Sequence, residues 1–182
     1  MLVIFLLFLF IGFLSIFGQM IMPDLPFFYA KAELSALFVI YFTLRMPFFY
    51  AFGFSLYTGM LSDLLIPGIF GTTTLSLILL FLFMSILKPL FAKIGNYWMF
   101  PLYVSVGIFF YSLVSYLLFE LENHQWYWSL EPWTKCVSIS FLSTLVSIPL
   151  FLLMDLLFAL LKIPLPEEEF FPSFFKKNSN LT

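Results

Sequence analysis

The stretch LVIFLLFLFIGFLSIFGQMIM, residues 2–22, contains no charged residue and is long enough to cross a bilayer as one helix. The rest of the chain has the same character, since 63% of its 182 residues are apolar and only 10% are charged. A soluble fold cannot cover that much apolar surface. The sequence therefore predicts an integral membrane protein. It excludes a soluble enzyme, a nucleic-acid binder, a disulfide scaffold and a disordered tail.

Proline and glycine divide the chain at even intervals, as expected where membrane helices must stop. The predicted fold class is all-α, a polytopic membrane domain over residues 1–162 with a loosely ordered cytoplasmic tail over residues 163–182. A polar, Trp-rich loop is expected at residues 120–135. The six predicted spans are residues 2–22, 27–44, 47–66, 71–87, 97–119 and 136–161.

The basic residues predict the orientation, because cytoplasmic loops carry an excess of Lys and Arg. With both termini in the cytoplasm, six basic residues lie inside and two, Lys31 and Lys135, lie outside. The opposite orientation inverts that ratio, so we expect N-in and C-in. The six inside residues are Arg45, Lys88, Lys93, Lys162, Lys176 and Lys177.

The third predicted span carries a row of small residues that ends in an acid. Ala51, Ser55, Gly59 and Asp63 are spaced by four, so they share one helix face and would let another helix approach closely. Gly71 then opens the fourth span, whose first N–H groups have no partner in the helix. Either Asp63 meets those amides or a ligand in a tight turn, or it is a helix-end acid in water.

Two other acids lie near predicted span ends. Glu33 either faces the bundle or is solvated at the interface, and it does not pair with Lys31, two residues away on another helix face. Asp155 in the sixth span points inward or reaches the inner interface, with no partner evident.

The remaining polar groups give no support for catalysis. Ser140, Ser143, Thr144 and Ser147 precede Pro149, where hydroxyls can satisfy the carbonyl that a proline leaves unpaired. His124 is the only histidine, so we expect neither a metal site nor a cofactor. The abundant Phe is interpreted as lipid-facing filler.

Residues 31–83 resemble the conserved half of the rod-shape-determining membrane protein family MreD. That family shows Gly-Phe, then a Gly four residues before Asp-Leu, then a Gly eight residues after that Asp. The proline-containing last helix also resembles the family's. The matching positions are Gly53, Phe54, Gly59, Asp63, Leu64, Gly71 and Pro149.

The resemblance implies a non-enzymatic component of the bacterial cell-elongation machinery in the inner membrane. Its members organise side-wall peptidoglycan synthesis with MreC, with MreB filaments, and with RodA and its penicillin-binding transpeptidase partner. The implied fold is similar to the substrate-binding subunits of energy-coupling-factor transporters. The small-residue row suits docking to a partner helix, and Gly59→Leu is expected to break that association.

Two other classes stay open. Such a transporter subunit typically docks its transport module through an alanine pair in the first helix, but residues 2–22 contain no alanine. A retained vitamin would distinguish this class from a scaffold. A small lipid-modifying enzyme would need paired carboxylates or histidines in the membrane, which the spans lack.

Overall fold

The computed structural model describes residues 2–21, 31–65, 71–94, 99–123 and 131–161. Within these ranges the regular structure is entirely helical, with six helices and no strand, which confirms the all-α class. The helices are α1 (Leu2–Ile21), α2 (Leu34–Arg45), α3 (Phe48–Leu65), α4 (Thr72–Ile94), α5 (Met99–Asn123) and α6 (Glu131–Leu160).

Three of the described helices are long and apolar enough to cross a membrane. The qualifying segments are Thr72–Leu90 in α4, Phe100–Leu121 in α5 and Pro132–Leu160 in α6. The segments Leu6–Ile21 and Leu34–Arg45 are also apolar but shorter.

The outer face of α6 is apolar along its length. Five of its side chains, spaced by four or seven residues, are between 48% and 58% exposed. That spacing places them on one face of the helix. An exterior of this kind is unfavourable in water and suits contact with lipid. The five are Val137, Phe141, Leu145, Leu152 and Leu156.

The short helix α2 lies at the centre of the bundle. It contacts each of the other five helices, and every residue from 35 to 45 is buried. The ring of Phe42 packs against Phe8, Phe54 and Phe158 at centroid distances of 4.7, 4.3 and 6.3 Å. The interpretation of Phe as lipid-facing filler is therefore wrong for these core rings, although Phe on the outer surface is exposed.

Some predicted helix boundaries are wrong. The fourth helix does not stop at Pro89 but continues to Ile94, because the ring removes one hydrogen bond from a helix that packing on both α3 and α5 supports. Part of the predicted 120–135 loop is helical: α5 extends to Asn123, and α6 begins at Glu131, where Pro132 suits a first turn.

Several predicted features lie outside the described residues. They are the tail at 163–182, the middle of the Trp-rich loop with His124, residues 27–30 of the second span, the first two residues of the fifth span and the last residue of the first and third spans.

Candidate functional site

Asp63 joins the end of α3 to the beginning of α4. Its carboxylate accepts hydrogen bonds at 3.1 Å from the backbone N–H groups of Gly71, Thr73 and Thr74. The Thr74 hydroxyl donates to the same carboxylate at 2.5 Å. A carboxylate is favourable here because the first N–H groups of a helix are unpaired and carry partial positive charge. The alternative in which Asp63 meets these amides is confirmed.

Gly71 has the backbone conformation that this turn requires. Its φ is +98°, a region that residues with a Cβ rarely adopt. The glycine therefore lets the chain turn so that its own N–H and those of the following residues converge on one carboxylate.

The small-residue row on α3 faces the inside of the molecule. Ala51 and Ser55 are buried, and a Cβ on Gly59 would lie 2.5 Å from the Thr74 Cα of α4. A leucine at Gly59 would therefore disturb this chain's own α3–α4 packing, so its effect on a partner could not be read separately. By contrast, Gly53 is exposed, and a Cβ there would meet nothing within 4 Å.

The amino end of α2 is tied to two other helices. The Gln19 amide of α1 donates to the Glu33 carboxylate, and the Ser35 hydroxyl donates to the Gln19 side-chain oxygen at 3.1 Å. The Glu33 backbone N–H donates to the Ser143 hydroxyl of α6 at 3.1 Å. Of the two alternatives for Glu33, the structure therefore shows the one in which it faces the bundle.

The carboxyl end of α2 holds an ion pair. Arg45 Nη2 lies 2.5 Å from Asp155 Oδ2, and the Tyr41 hydroxyl donates to Asp155 Oδ1 at 2.7 Å. The Arg45 side chain is 10% exposed and the Asp155 side chain 28%. Lys88 donates to the Thr43 carbonyl at 3.1 Å, so a second cation stands at the negative end of the helix. Asp155 thus points inward.

This ion pair was missed by reasoning from the sequence. The sequence places Arg45 only among the basic residues expected on the cytoplasmic side, and its partner lies 110 residues further along the chain. The one available signal is an acid about one and a half helical turns before the end of a predicted span, because such a group needs a partner at membrane depth.

Pro149 is exposed on α6. Two hydroxyls that precede it donate to carbonyls other than the one that the proline leaves unpaired. Thr144 donates to the Ser140 carbonyl and Ser147 to the Thr144 carbonyl, each at 2.7 Å. The carbonyl that the proline leaves without an amide partner belongs to Leu145, four residues earlier. These two hydroxyls therefore do not donate to the carbonyl that the proline leaves unpaired, contrary to the expectation from the sequence.

A cavity of about 400 Å³ lies where α5 ends and where α6 and α2 begin. Its lining includes an unusual share of polar groups for a membrane helix bundle. Among the described residues, Ser112 Oγ, Ser115 Oγ and Glu120 Oε2 are buried without a hydrogen-bond partner. The polar lining comprises Glu33, Tyr111, Ser112, Ser115, Glu120 and Lys135.

The described side chains do not form a metal centre, since no three or more His, Cys, Asp or Glu residues cluster there. The fold and these polar clusters define the class: a helical bundle with three helices suited to crossing a membrane. No protein-family model matches the chain, and neither does any curated protein or any solved structure.

Proposed function

We propose that this chain is a non-enzymatic component of the bacterial cell-elongation complex, a scaffold of the MreD type in the inner membrane. In this proposal the six helices all span the membrane, and both termini lie in the cytoplasm. The chain acts with MreC, and through it with MreB, RodA and a penicillin-binding transpeptidase, to organise peptidoglycan synthesis and maintain cell shape.

The observation that carries the proposal is the single structural unit formed by the residues of the resemblance. Asp63 accepts from the amides that Gly71 exposes, and Gly59 allows Thr74 to come close. Glycine, acid and glycine at these spacings are therefore needed together to join two helices. This requirement gives the motif a physical reason beyond general apolar similarity.

The proposal requires α2 to cross the membrane as a short helix enclosed by the other five. Its 12 residues extend only about 18 Å, less than the roughly 30 Å of a hydrocarbon core. A helix that short leaves polar ends at membrane depth, and surrounding protein must satisfy them. Glu33 and Arg45 are held in this way by α1 and α6.

The open face of α3 is our candidate for the contact with MreC. Gly53 belongs to the resemblance motif, yet no atom of the described residues lies within 4 Å of a Cβ built on it. Phe49, Met60 and Leu64 are exposed at helical spacings from it. A small residue on an exposed membrane face lets a partner helix approach backbone to backbone.

The test is a mild-detergent pull-down of the tagged full chain from its own cells, with protein identification. We expect MreC and the elongation synthases with the wild type. Gly53→Leu should lower MreC recovery at least fivefold, since its side chain occupies the approach and its Cβ meets no described atom of this chain within 4 Å. Ala159→Leu, an exposed small residue on α6, is the matched control.

Equal MreC recovery with Gly53→Leu would reject this face of α3 as the contact. Failure to recover MreC with the wild type would reject the scaffold role itself.

The cavity favours a second candidate, the substrate-binding subunit of an energy-coupling-factor vitamin transporter. Pockets of this size that combine apolar walls with a few polar groups are typical of small-molecule sites. Small-molecule analysis of the same eluate distinguishes the two. A stoichiometric vitamin or co-purified ATPase subunits would establish the transporter, and neither is expected for the scaffold.

A further inference from the structure

The cavity beside α5 contains hydrogen-bonding groups that no other described residue uses. Ser112 is only 7% exposed, and neither its hydroxyl oxygen nor that of Ser115 has a partner among the described residues. One carboxylate oxygen of Glu120 is likewise buried without a hydrogen-bond partner among these residues. A buried polar atom without a partner is costly, so such atoms are normally satisfied by something bound.

The charge of the lining selects the ligand. Glu120 brings a negative charge and Lys135 a positive charge, and Glu33 adds a second carboxyl group whose oxygens can accept hydrogen bonds. The oxygen of Glu120 can only accept hydrogen bonds when ionised, and the two serine oxygens can also accept. The missing group is therefore a donor that carries positive charge.

The aromatic walls favour the same chemistry. Tyr111, Tyr116 and Phe119 line the cavity together with the acids. Ring faces attract cations, and this attraction increases where water is excluded. From Ser112 to Glu120 the cavity follows α5 over eight residues, or about 12 Å. It therefore holds an elongated group rather than a single ion.

We propose that this cavity binds a primary ammonium group, carried by a free alkyl amine or by the headgroup of an aminophospholipid. A primary ammonium offers three N–H donors and no acceptor, which matches unpaired acceptor oxygens. A quaternary ammonium has the charge but lacks the donors. An anion would face the Glu120 carboxylate in a partly dehydrated space.

This site goes beyond the scaffold role and does not require any of its partners. The contact proposed for MreC lies on α3, whereas the cavity is formed by α5, α6 and the residue that precedes α2. A failed pull-down would therefore not bear on ligand binding in the cavity. Likewise, a failure to bind a ligand would not bear on the scaffold role.

The experiment uses the purified full chain in nanodiscs of phosphatidylglycerol. In one arm, ethanolamine and 1,4-diaminobutane are titrated, with ethylene glycol and 1,4-butanediol as neutral counterparts. In the other arm, the nanodiscs contain phosphatidylethanolamine or phosphatidylcholine as a minor lipid. Binding is measured by the shift in thermal unfolding midpoint, and lipid retention by native mass spectrometry.

The proposal expects a shift with a primary amine or with phosphatidylethanolamine. The first result identifies a free amine as the source and the second a lipid headgroup. No shift with either, or equal shifts with phosphatidylcholine or the diols, would overturn it.

Variants locate the site. Glu120→Gln and Glu33→Gln should each weaken binding about tenfold or more, since each replaces a carboxyl acceptor with an amide. Glu122→Gln makes the same charge change two positions further along α5 and serves as the control. Unchanged affinity in both cavity variants would place the binding elsewhere and reject this assignment.

Discussion

At its carboxyl end, α2 presents Arg45 to a carboxylate that also accepts from Tyr41, whereas at its amino end Glu33 lines a cavity with unpaired oxygens beside it. An ionisable residue stands at each end of the same buried helix. The two ends differ in their surroundings. At the carboxyl end, which we call the closed end, side chains of this chain satisfy the charge, whereas the amino end borders a cavity that could hold a ligand. Substitutions at the two ends should therefore have opposite consequences for stability and binding.

The largest effect is expected at the closed end. Asp155→Ala leaves Arg45 buried without its counter-ion, which should lower the free energy of unfolding by about 2 to 4 kcal/mol. Partial exposure of Asp155 places the value towards the lower part of that range. The measurement is reversible unfolding by SDS titration in mixed micelles.

The control replaces the whole cluster with apolar groups. Tyr41→Phe, Arg45→Met and Asp155→Leu combined should recover at least half of the loss, because no buried charge remains unpaired. If the single Asp155→Ala variant were as stable as the wild type, Arg45 would have to bind water or another acceptor. The carboxyl end of α2 would then not depend on Asp155.

A variant in the Asp63 turn tests whether unpaired polar groups occur throughout the end of the bundle that holds Glu33 or only in the cavity. Counting helices from α1 as alternating in direction, the α3–α4 turn lies at the same end of the bundle as Glu33, yet Asp63 is engaged by three N–H groups and a hydroxyl. Asp63→Ala should therefore cost about 2 kcal/mol in the same titration, at the upper end for a lost helix cap. A cost below about 0.5 kcal/mol would show that water replaces the carboxylate.

The contrast between these two acids also shows what the sequence can predict. Asp63 and Gly71 are eight residues apart, so a local turn brings them together whatever the rest of the chain does. Asp155 meets Arg45 across 110 residues, and only the packing of α6 against α2 makes them neighbours. The approximate positions of the helices are predictable because each follows from a local apolar run. Pro89 was misleading because packing, not local preference, decides whether a helix continues.

The amino end of α2 should be less sensitive than either of these sites. Glu33→Ala removes the acceptor of the Gln19 amide, but the backbone N–H of residue 33 still donates to Ser143. A loss of about 1 kcal/mol is expected, the usual cost of one unpaired amide. Gln19→Ala, which removes the other partner, is the comparison, and a loss as large as that of Asp155→Ala would contradict the asymmetry between the ends.

The smallest effect is expected at Ser112, whose hydroxyl has no hydrogen-bond partner in the described part of the chain. Ser112→Ala should change the free energy of unfolding by less than about 0.5 kcal/mol without added amine, because removing an unsatisfied buried oxygen costs little. Ser76 provides a matched serine, since its hydroxyl donates to the Thr72 carbonyl at 2.8 Å. Ser76→Ala should cost about 0.5 to 1 kcal/mol by the same reasoning.

With a bound primary amine the order should reverse. Ser112→Ala should then lose more stabilisation than Ser76→Ala, because a ligand shifts stability only through the contacts it makes. Equal responses of the two variants under both conditions would mean that the Ser112 hydroxyl meets no ligand.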